Sequence, residues 1–450
     1  MATEKIVHSR AFRYRRFLNW FPMGITYALL YMGRYNLTVS KSHFGDLMTK
    51  SMFGDIFGIG AVVYAFSFLI NGPLVDRIGG KKGILIAAFG AGIANLAMGL
   101  YTKYVLGLED PSTANIELVF TILYGINMYF QSYGAVSIVK VNASWFHVTE
   151  RGSFSGIFGV MISSGIFLAF DVPPKILALS FAKGQGYNGG DAIWWIFFAP
   201  AVLLFLFLLI ETFLLKDRPS QAGHKDFDTA DASSGEDMDE VISVFEMYKR
   251  ILTHPVIIVV AGIEFCTGVL RNGIMHWYRI FANEQIVTGN TEGWTFMMDN
   301  WGAILWLAGC IGGVTAGLVS DKIFNSRRMP SAALMYGILA VSCVVMVFTL
   351  HNGWILGAVG FIMSLAVIGT HGLLSGTATM DFGGRKGAAT AVGVIDGFVY
   401  LGTGVQSIAL GYITEWNWNY WPLFLLPFSF VGLMLLVKIW NAKPSSNSGH

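Results

Sequence analysis

Twelve apolar runs, each about 20 residues long, recur along this 450-residue chain and leave few folds open to it. A run of that length spans the roughly 30 Å hydrocarbon core of a bilayer as an α-helix. They fall near 18–40, 53–75, 83–104, 116–139, 152–176, 193–215, 255–281, 300–320, 331–351, 354–379, 387–414 and 418–440. The runs are continuous and lack the period-two alternation of a membrane β-barrel. Only 13% of the residues are charged, against about 25% in soluble domains. The expectation is an all-α membrane protein of twelve transmembrane helices. Lys5, Arg10, Arg13, Arg15 and Arg16 precede the first run, which has no small-residue cleavage site and so reads as a retained helix.

Six runs, one long polar segment and six more runs divide the chain into a half at 1–215, a linker at 216–252 and a half at 253–450. The linker is acidic (Asp226, Asp228, Asp231, Glu236, Asp237, Asp239, Glu240), and its end, 241–252, has an amphipathic pattern suited to a membrane surface. Arg77, Lys81, Lys82, Arg151, Lys322, Arg327, Arg328, Arg385 and Lys386 lie on alternate short loops, while Glu109, Asp110, Asp191, Glu292 and Asp299 lie on the others. This bias puts both termini and the linker in the cytoplasm.

Several function classes drop out. The net charge of +2 is scattered over short loops and gives no nucleic-acid footprint. Cys266, Cys310 and Cys343 sit inside apolar runs with neither disulfide nor metal spacing. No phosphate-binding G-x-x-x-x-G-K-[ST] loop, nucleophile elbow or kinase signature is present, so neither an ATP-driven pump nor an enzyme is expected. No cofactor or metal is expected either.

The loop after the second run reads Gly72-Pro-Leu-Val-Asp76-Arg77-Ile-Gly79-Gly-Lys81-Lys82, and a relative of it, Gly317-Leu-Val-Ser-Asp321-Lys322, begins 245 residues later. Arg151-Gly152 and Lys386-Gly387 repeat at 235 residues, and Arg34 and Arg271 at 237. Three pairs at similar offsets predict two halves related by an axis along the membrane normal, the parallel-repeat plan of major facilitator transporters. The glycines let helices approach, and Asp76, Arg77, Lys81, Asp321, Lys322 and Arg151 form a charge network that holds one conformation.

Arg34 stands alone as a full charge in 22–39, on one helical face with Tyr27, Tyr31 and Thr38. At mid-span an arginine costs roughly 2.5–3.5 kcal/mol on insertion scales and normally faces the bundle interior. With Arg271 at the equivalent place in the other half, two guanidinium groups would meet across a central cavity. A planar, permanently charged fork suits phosphate, and two such forks repel unless an anion sits between them.

These residues bring the chain to a family. It resembles the organophosphate:phosphate antiporters over nearly its whole length, through Tyr31-Met-Gly-Arg34, Phe130-Gln131, Lys140 to Trp145, Glu150-Arg151-Gly152, Leu270-Arg271-Asn-Gly-Ile274 with Trp277, Ser320 to Phe324, and Gly397 to Gly402 around Tyr400. The resemblance implies that Arg34 and Arg271 bind a phosphoryl group and that Tyr27, Tyr31, Tyr64 and Tyr400 line the same cavity. It implies exchange of an organic phosphate for inorganic phosphate by a monomer in a bacterial inner membrane. Family members that carry glycerol 3-phosphate have a lysine at Phe68, a histidine at Ile162, a tyrosine at Gly268 and an aspartate at His276.

Some polar residues in the runs keep two readings. Glu264, seven residues before Arg271, is a proton- or cation-coupling carboxylate, the neutralising partner of an arginine, or a group lining a water path. Asp396 heads a stripe with Tyr400, Thr403 and Ser407, facing the cavity or a neighbouring helix. Gln131 and His371 are single polar residues, read as bundle contacts or cavity groups, and His371 also as a titratable switch. Proton-coupled uptake of an organic anion, and sensing of a sugar phosphate without transport, are the alternative functions.

Overall fold

The computed structural model describes residues 8–227, 244–325 and 327–442, and within them all side chains except those at 76, 148–158, 188, 244, 247, 250 and 376–392. The described helices are α1 (Arg10–Phe44), α2 (Lys50–Ile78), α3 (Gly80–Leu106), α4 (Ile116–Trp145), α5 (Val148–Leu177), α6 (Trp195–Leu214) and α7 (Val244–Thr253). They continue with α8 (Pro255–Val287), α9 (Trp294–Asp299), α10 (Trp301–Leu318), α11 (Arg328–Thr349), α12 (Gly353–His371), α13 (Thr379–Trp416) and α14 (Tyr420–Lys438). All but the short α7 and α9 form the bundle, and each coincides with one expected apolar run. The largest differences are the earlier starts of α1 and α13, and the end of α12 at His371, where a π-helical stretch, Gly372–Ala378, follows.

Ten of these twelve helices are apolar enough to cross a membrane by composition alone. The other two, α1 and α4, carry the polar residues of the interior. Every residue of α1 from Thr26 to Ser40 is buried, including Arg34, Asn36 and Thr38, and α4 buries Asn127, Gln131, Ser132, Ser137 and Asn142. The stretch of α1 from Thr26 to Ser40, sheathed by protein on all sides, need not match the lipid, while α4 turns its polar side inward and leaves Leu118, Ile122, Ile126 and Val139 exposed. The outer helices do match it: Phe66, Ile70, Phe89, Leu209, Phe213, Val341 and Phe348 are exposed.

Two six-helix halves, α1–α6 and the long helices of α8–α14, meet along α2 against α13 and α5 against α10. Exchanging the halves maps one of these interfaces onto the other. Close backbone approach makes the first of them. A Cβ on Gly54 would lie 2.5 Å from the carbonyl oxygen of Ser407, so only glycine fits where α2 crosses α13. Within the second half, a Cβ on Gly268 would clash with the carbonyl oxygen of Val399, so only glycine fits where α8 crosses α13.

The end of the bundle with acidic loops is closed by bonds between the halves. Lys50 pairs with Glu284 at 3.2 Å, and Glu284 also accepts from Trp418 Nε1 at 2.6 Å. Ser51 donates to Glu415 through its backbone N–H (2.9 Å) and its hydroxyl (2.8 Å). Asp171 of α5 accepts from the backbone N–H groups of Gly302 and Ala303 at the start of α10, at 2.7 and 2.9 Å. A carboxylate at a helix N-terminus satisfies orphan donors and complements the helix dipole. At the opposite end α7 sends Tyr248 to the carbonyl of Leu69 in α2 (3.1 Å) and leaves Phe245 exposed.

Candidate functional site

Arg34 is fully buried and held by three neutral acceptors. Its Nε donates to Gln131 Oε1 at 2.8 Å, one terminal nitrogen to Tyr400 Oη at 2.6 Å and the other to Tyr64 Oη at 3.0 Å. Tyr64 and Tyr31 present their rings to the guanidinium, with centroids at 4.4 and 4.7 Å, an arrangement that favours a cation. Because both phenol oxygens accept from Arg34, their own O–H groups remain free to donate elsewhere.

A ladder of amides fixes this geometry. Gln131 Nε2 donates to Asn127 Oδ1 (3.0 Å), which turns the Gln131 oxygen toward Arg34. Asn127 and Asn95 both donate to the carbonyl of Gly33, Asn95 also donates to Asn127, and Asn36 donates to Asn95. Tyr124 closes the ring of contacts by donating to the carbonyl of Arg34 (3.0 Å). Each buried amide here has partners on α1, α3 or α4, so the network fixes one rotamer of Arg34.

Arg271 on α8 is 8% exposed, and its Nε has no hydrogen-bond partner among the described residues. Tyr31, Tyr35 and Tyr400 are electrostatic neighbours of both guanidinium groups. The two arginines therefore share one tyrosine cage, to which Tyr27 belongs through its ring contact with Tyr31 at 5.3 Å. Among the described residues no carboxylate forms an ion pair with either arginine. Phe68 stands edge-on to Tyr64 (4.6 Å) and faces Tyr400 (6.3 Å), giving the cage an apolar wall.

His276 closes the site toward the acidic-loop end. It bonds Thr38 of α1 at 2.7 Å and Asn272 Oδ1 at 3.2 Å, within the rings of Tyr35, Phe57 and Phe170. Asn272 donates to Thr403, so its oxygen faces the imidazole, which must then carry its proton on Nε2 and accept from Thr38 on Nδ1. The Thr38–His276–Asn272–Thr403 chain links the two halves one helical turn beyond the arginines.

Glu264 does not neutralise an arginine among the described residues. Its partner is His371, whose Nδ1 lies 2.9 Å from Oε2. Asp396 accepts from Ser375 at 2.5 Å, Tyr400 bonds Arg34, Thr403 bonds Asn272 and Ser407 bonds Gln406, so the stripe on α13 serves both cage and packing. Gln131 touches Arg34 directly.

The loop residues group differently. Gly79 has a φ of +91° and breaks α2 from α3, while Lys81 takes Asp217 as acceptor for its backbone N–H (2.7 Å) and the carbonyl of Thr212 for Nζ (2.7 Å). Asp321 pairs with Arg328 at 2.8 Å, and Lys322 and Arg77 are exposed. Gly72 has open space around it. The side chains of Asp76 and Arg151 lie outside the described residues.

Sequence reasoning missed Asn95, Asn127, Tyr124, Tyr35 and Asp171, all buried. A lone amide inside an apolar run was the available signal for Asn95 and Asn127.

The family model described as Major Facilitator Superfamily matches residues 23–407. A protein of Chlamydia pneumoniae named probable hexose phosphate transport protein is 24% identical over 98% of this chain and 94% of its own length. The membrane sensor protein UhpC of Escherichia coli is 23% identical over 98% and 96%. The glycerol-3-phosphate transporter of Bacillus subtilis is 23% identical over 93% and 90%. Among solved structures, a bacterial homologue of the human lysosomal transporter Spinster, inward-facing and unoccupied, superposes with a TM-score of 0.71 at 14% identity over 96% of each chain. That last likeness is one of fold.

Proposed function

The chain belongs to the Major Facilitator Superfamily, and on that premise we propose that it is a secondary carrier exchanging an organic phosphate ester for inorganic phosphate. Arg34 and Arg271 clamp the phosphoryl group, one from each half. The observation that carries this is the pair of buried guanidinium groups, which share a tyrosine cage and form no ion pair with a carboxylate among the described residues. Among the described residues the Nε of Arg271 is a buried donor without an acceptor. A phosphoryl group supplies up to three acceptor oxygens and the missing negative charge. The names of the relatives from Chlamydia pneumoniae and Bacillus subtilis point to the same chemistry.

Transport then follows from charge. With the site empty, the approach of two cations opposes reorientation of the halves; with an anion between them the pair is neutralised and the halves can move. Movement breaks the Lys50–Glu284, Asp171–Gly302 and Thr38–His276 links and opens the acidic-loop end. The O–H groups of Tyr64 and Tyr400, with those of Tyr27 and Tyr31, donate to the phosphoryl oxygens. Phe68 supports an apolar or ring-bearing ester rather than a second anionic group.

The basic-loop end and both termini lie in the cytoplasm of a bacterial inner membrane, the loop residues Gly72, Asp76, Arg77, Gly79, Lys81, Asp321, Lys322 and Arg151 latch that end, and the carrier works as a monomer. The divisions at 215 and 252 separate two rocking halves from their linker. Proteoliposomes loaded with inorganic phosphate provide the test. External hexose phosphate or glycerol phosphate should release labelled phosphate without an imposed ion gradient. Absence of release with every phosphate ester, although phosphate binds, would replace the carrier by a sensor.

A further inference from the structure

We propose that Glu264 and His371 form a proton-binding site in the second half, so that the carrier takes up a proton when an anion binds at Arg271. This deepens the phosphate reading above and rests on it. Glu264 is wholly buried within α8, while the His371 side chain at the end of α12 is 26% exposed. One carboxylate oxygen meets Nδ1 at 2.9 Å, and the other has no partner among the described residues. A pair built for packing alone would satisfy both oxygens of so deep a carboxylate. It would also gain nothing from imidazole, the one side chain that ordinarily titrates near neutrality.

The surroundings tie this pair to the anion site. Arg271 lies seven residues further along α8, about 10 Å at the rise of a helix. Asp396 on α13, held by Ser375, and Arg271 are both electrostatic neighbours of His371. Tyr336 on α11 and Cys266 on α8 are electrostatic neighbours of Glu264. With His371 neutral, the charged groups Glu264, Asp396 and Arg271 carry one net negative charge; with it protonated they carry none. An anion on Arg271 adds negative potential and so favours the imidazolium, and by linkage the proton favours the anion equally. The proton comes from solvent at the exposed edge of His371, forms an N–H bond on Nε2 of the ring and is returned by the same route.

The test is calorimetric binding of inorganic phosphate to the purified carrier at pH 7 in buffers of different ionisation enthalpy, which counts protons taken up per phosphate. Titration of phosphate itself is common to all variants. Glu264→Gln and His371→Gln should still bind phosphate and take up fewer protons than the wild type, by about half a proton in the range where imidazole titrates. The same proton count in both variants would overturn the proposal. Loss of binding in both, with melting temperature unchanged, would also overturn it, since the pair would then belong to the anion site. If the wild type binds no phosphate, the phosphate reading fails on its own. Infrared titration of the ligand-free carrier with labelled histidine then decides the proton site. The His371 band, identified by its loss in His371→Gln, should change its titration midpoint in Glu264→Gln, and an unchanged midpoint would contradict the proposal.

Discussion

Arg34 of the first half donates to the phenol of Tyr400 in the second across 2.6 Å, and that ring lies 4.3 Å from the ring of Tyr64. The proposed anion site and the contact between the halves are therefore one object. Whatever displaces the Tyr400 oxygen from Arg34 also loosens the link between halves, which is how occupancy can govern movement.

Tyr400→Phe removes both the acceptor for Arg34 and a donor for the anion. A hydrogen bond to a charged group contributes roughly 1.5–3 kcal/mol, so phosphate affinity should fall about 10- to 150-fold. Equilibrium binding to the purified variant checks this. An affinity within twofold of wild type would remove Tyr400 from the site.

Gln131→Glu is nearly isosteric and places a carboxylate where Oε1 now meets Arg34 Nε at 2.8 Å. The internal carboxylate would neutralise Arg34 and compete with the anion, costing on the order of 100-fold in phosphate binding while raising the melting temperature. Thermal-shift measurements with and without phosphate would show both effects. Phosphate stabilising this variant as well as wild type would contradict the role given to Arg34.

Glu284→Gln weakens the closure at the acidic-loop end by removing the Lys50 ion pair. If that pair holds the closed state by roughly 1–2 kcal/mol, the open population rises about 5- to 30-fold. The labelling rate of a Phe57→Cys variant by a membrane-impermeant thiol reagent added from that side reports the change. Equal rates in both backgrounds would mean that Glu284 is not part of the gate.

Gly54→Leu should abolish exchange, because a side chain there meets the backbone of α13. Gly337→Ala is the control: nothing lies within 4 Å of a Cβ at Gly337 on α11, so stability should not fall by more than about 0.5 kcal/mol from wild type. Labelled-phosphate exchange and melting temperature measured on both variants test the contrast.

What could be read in advance follows from range. Arg34 announced itself as a lone charge in an apolar run, and Arg271 followed from the repeat offset, because both signals are local or periodic. Tyr64 and Tyr400 came from resemblance, and the structure brings both onto Arg34. Glu264 and His371 are 107 residues apart, and no periodicity joins them. Asp171 was invisible because its partners are backbone N–H groups of α10, which carry no side-chain signature. The amides Asn95 and Asn127 look alone in sequence and become a ladder only when α1, α3 and α4 pack. The helices themselves were legible nearly to their ends, since apolar length sets them; the polar α1 was found because its charge sat among apolar neighbours.

The central claim, that two arginines from opposite halves clamp one phosphoryl group, is tested most directly by phosphate self-exchange in proteoliposomes carrying wild type, Arg34→Lys or Arg271→Lys. Lysine keeps the charge and loses the planar fork. The account predicts exchange by the wild type without any ion gradient and less than about a tenth of that rate in each lysine variant, the loss of one charge-assisted bond or more. Unimpaired exchange in either variant would contradict it.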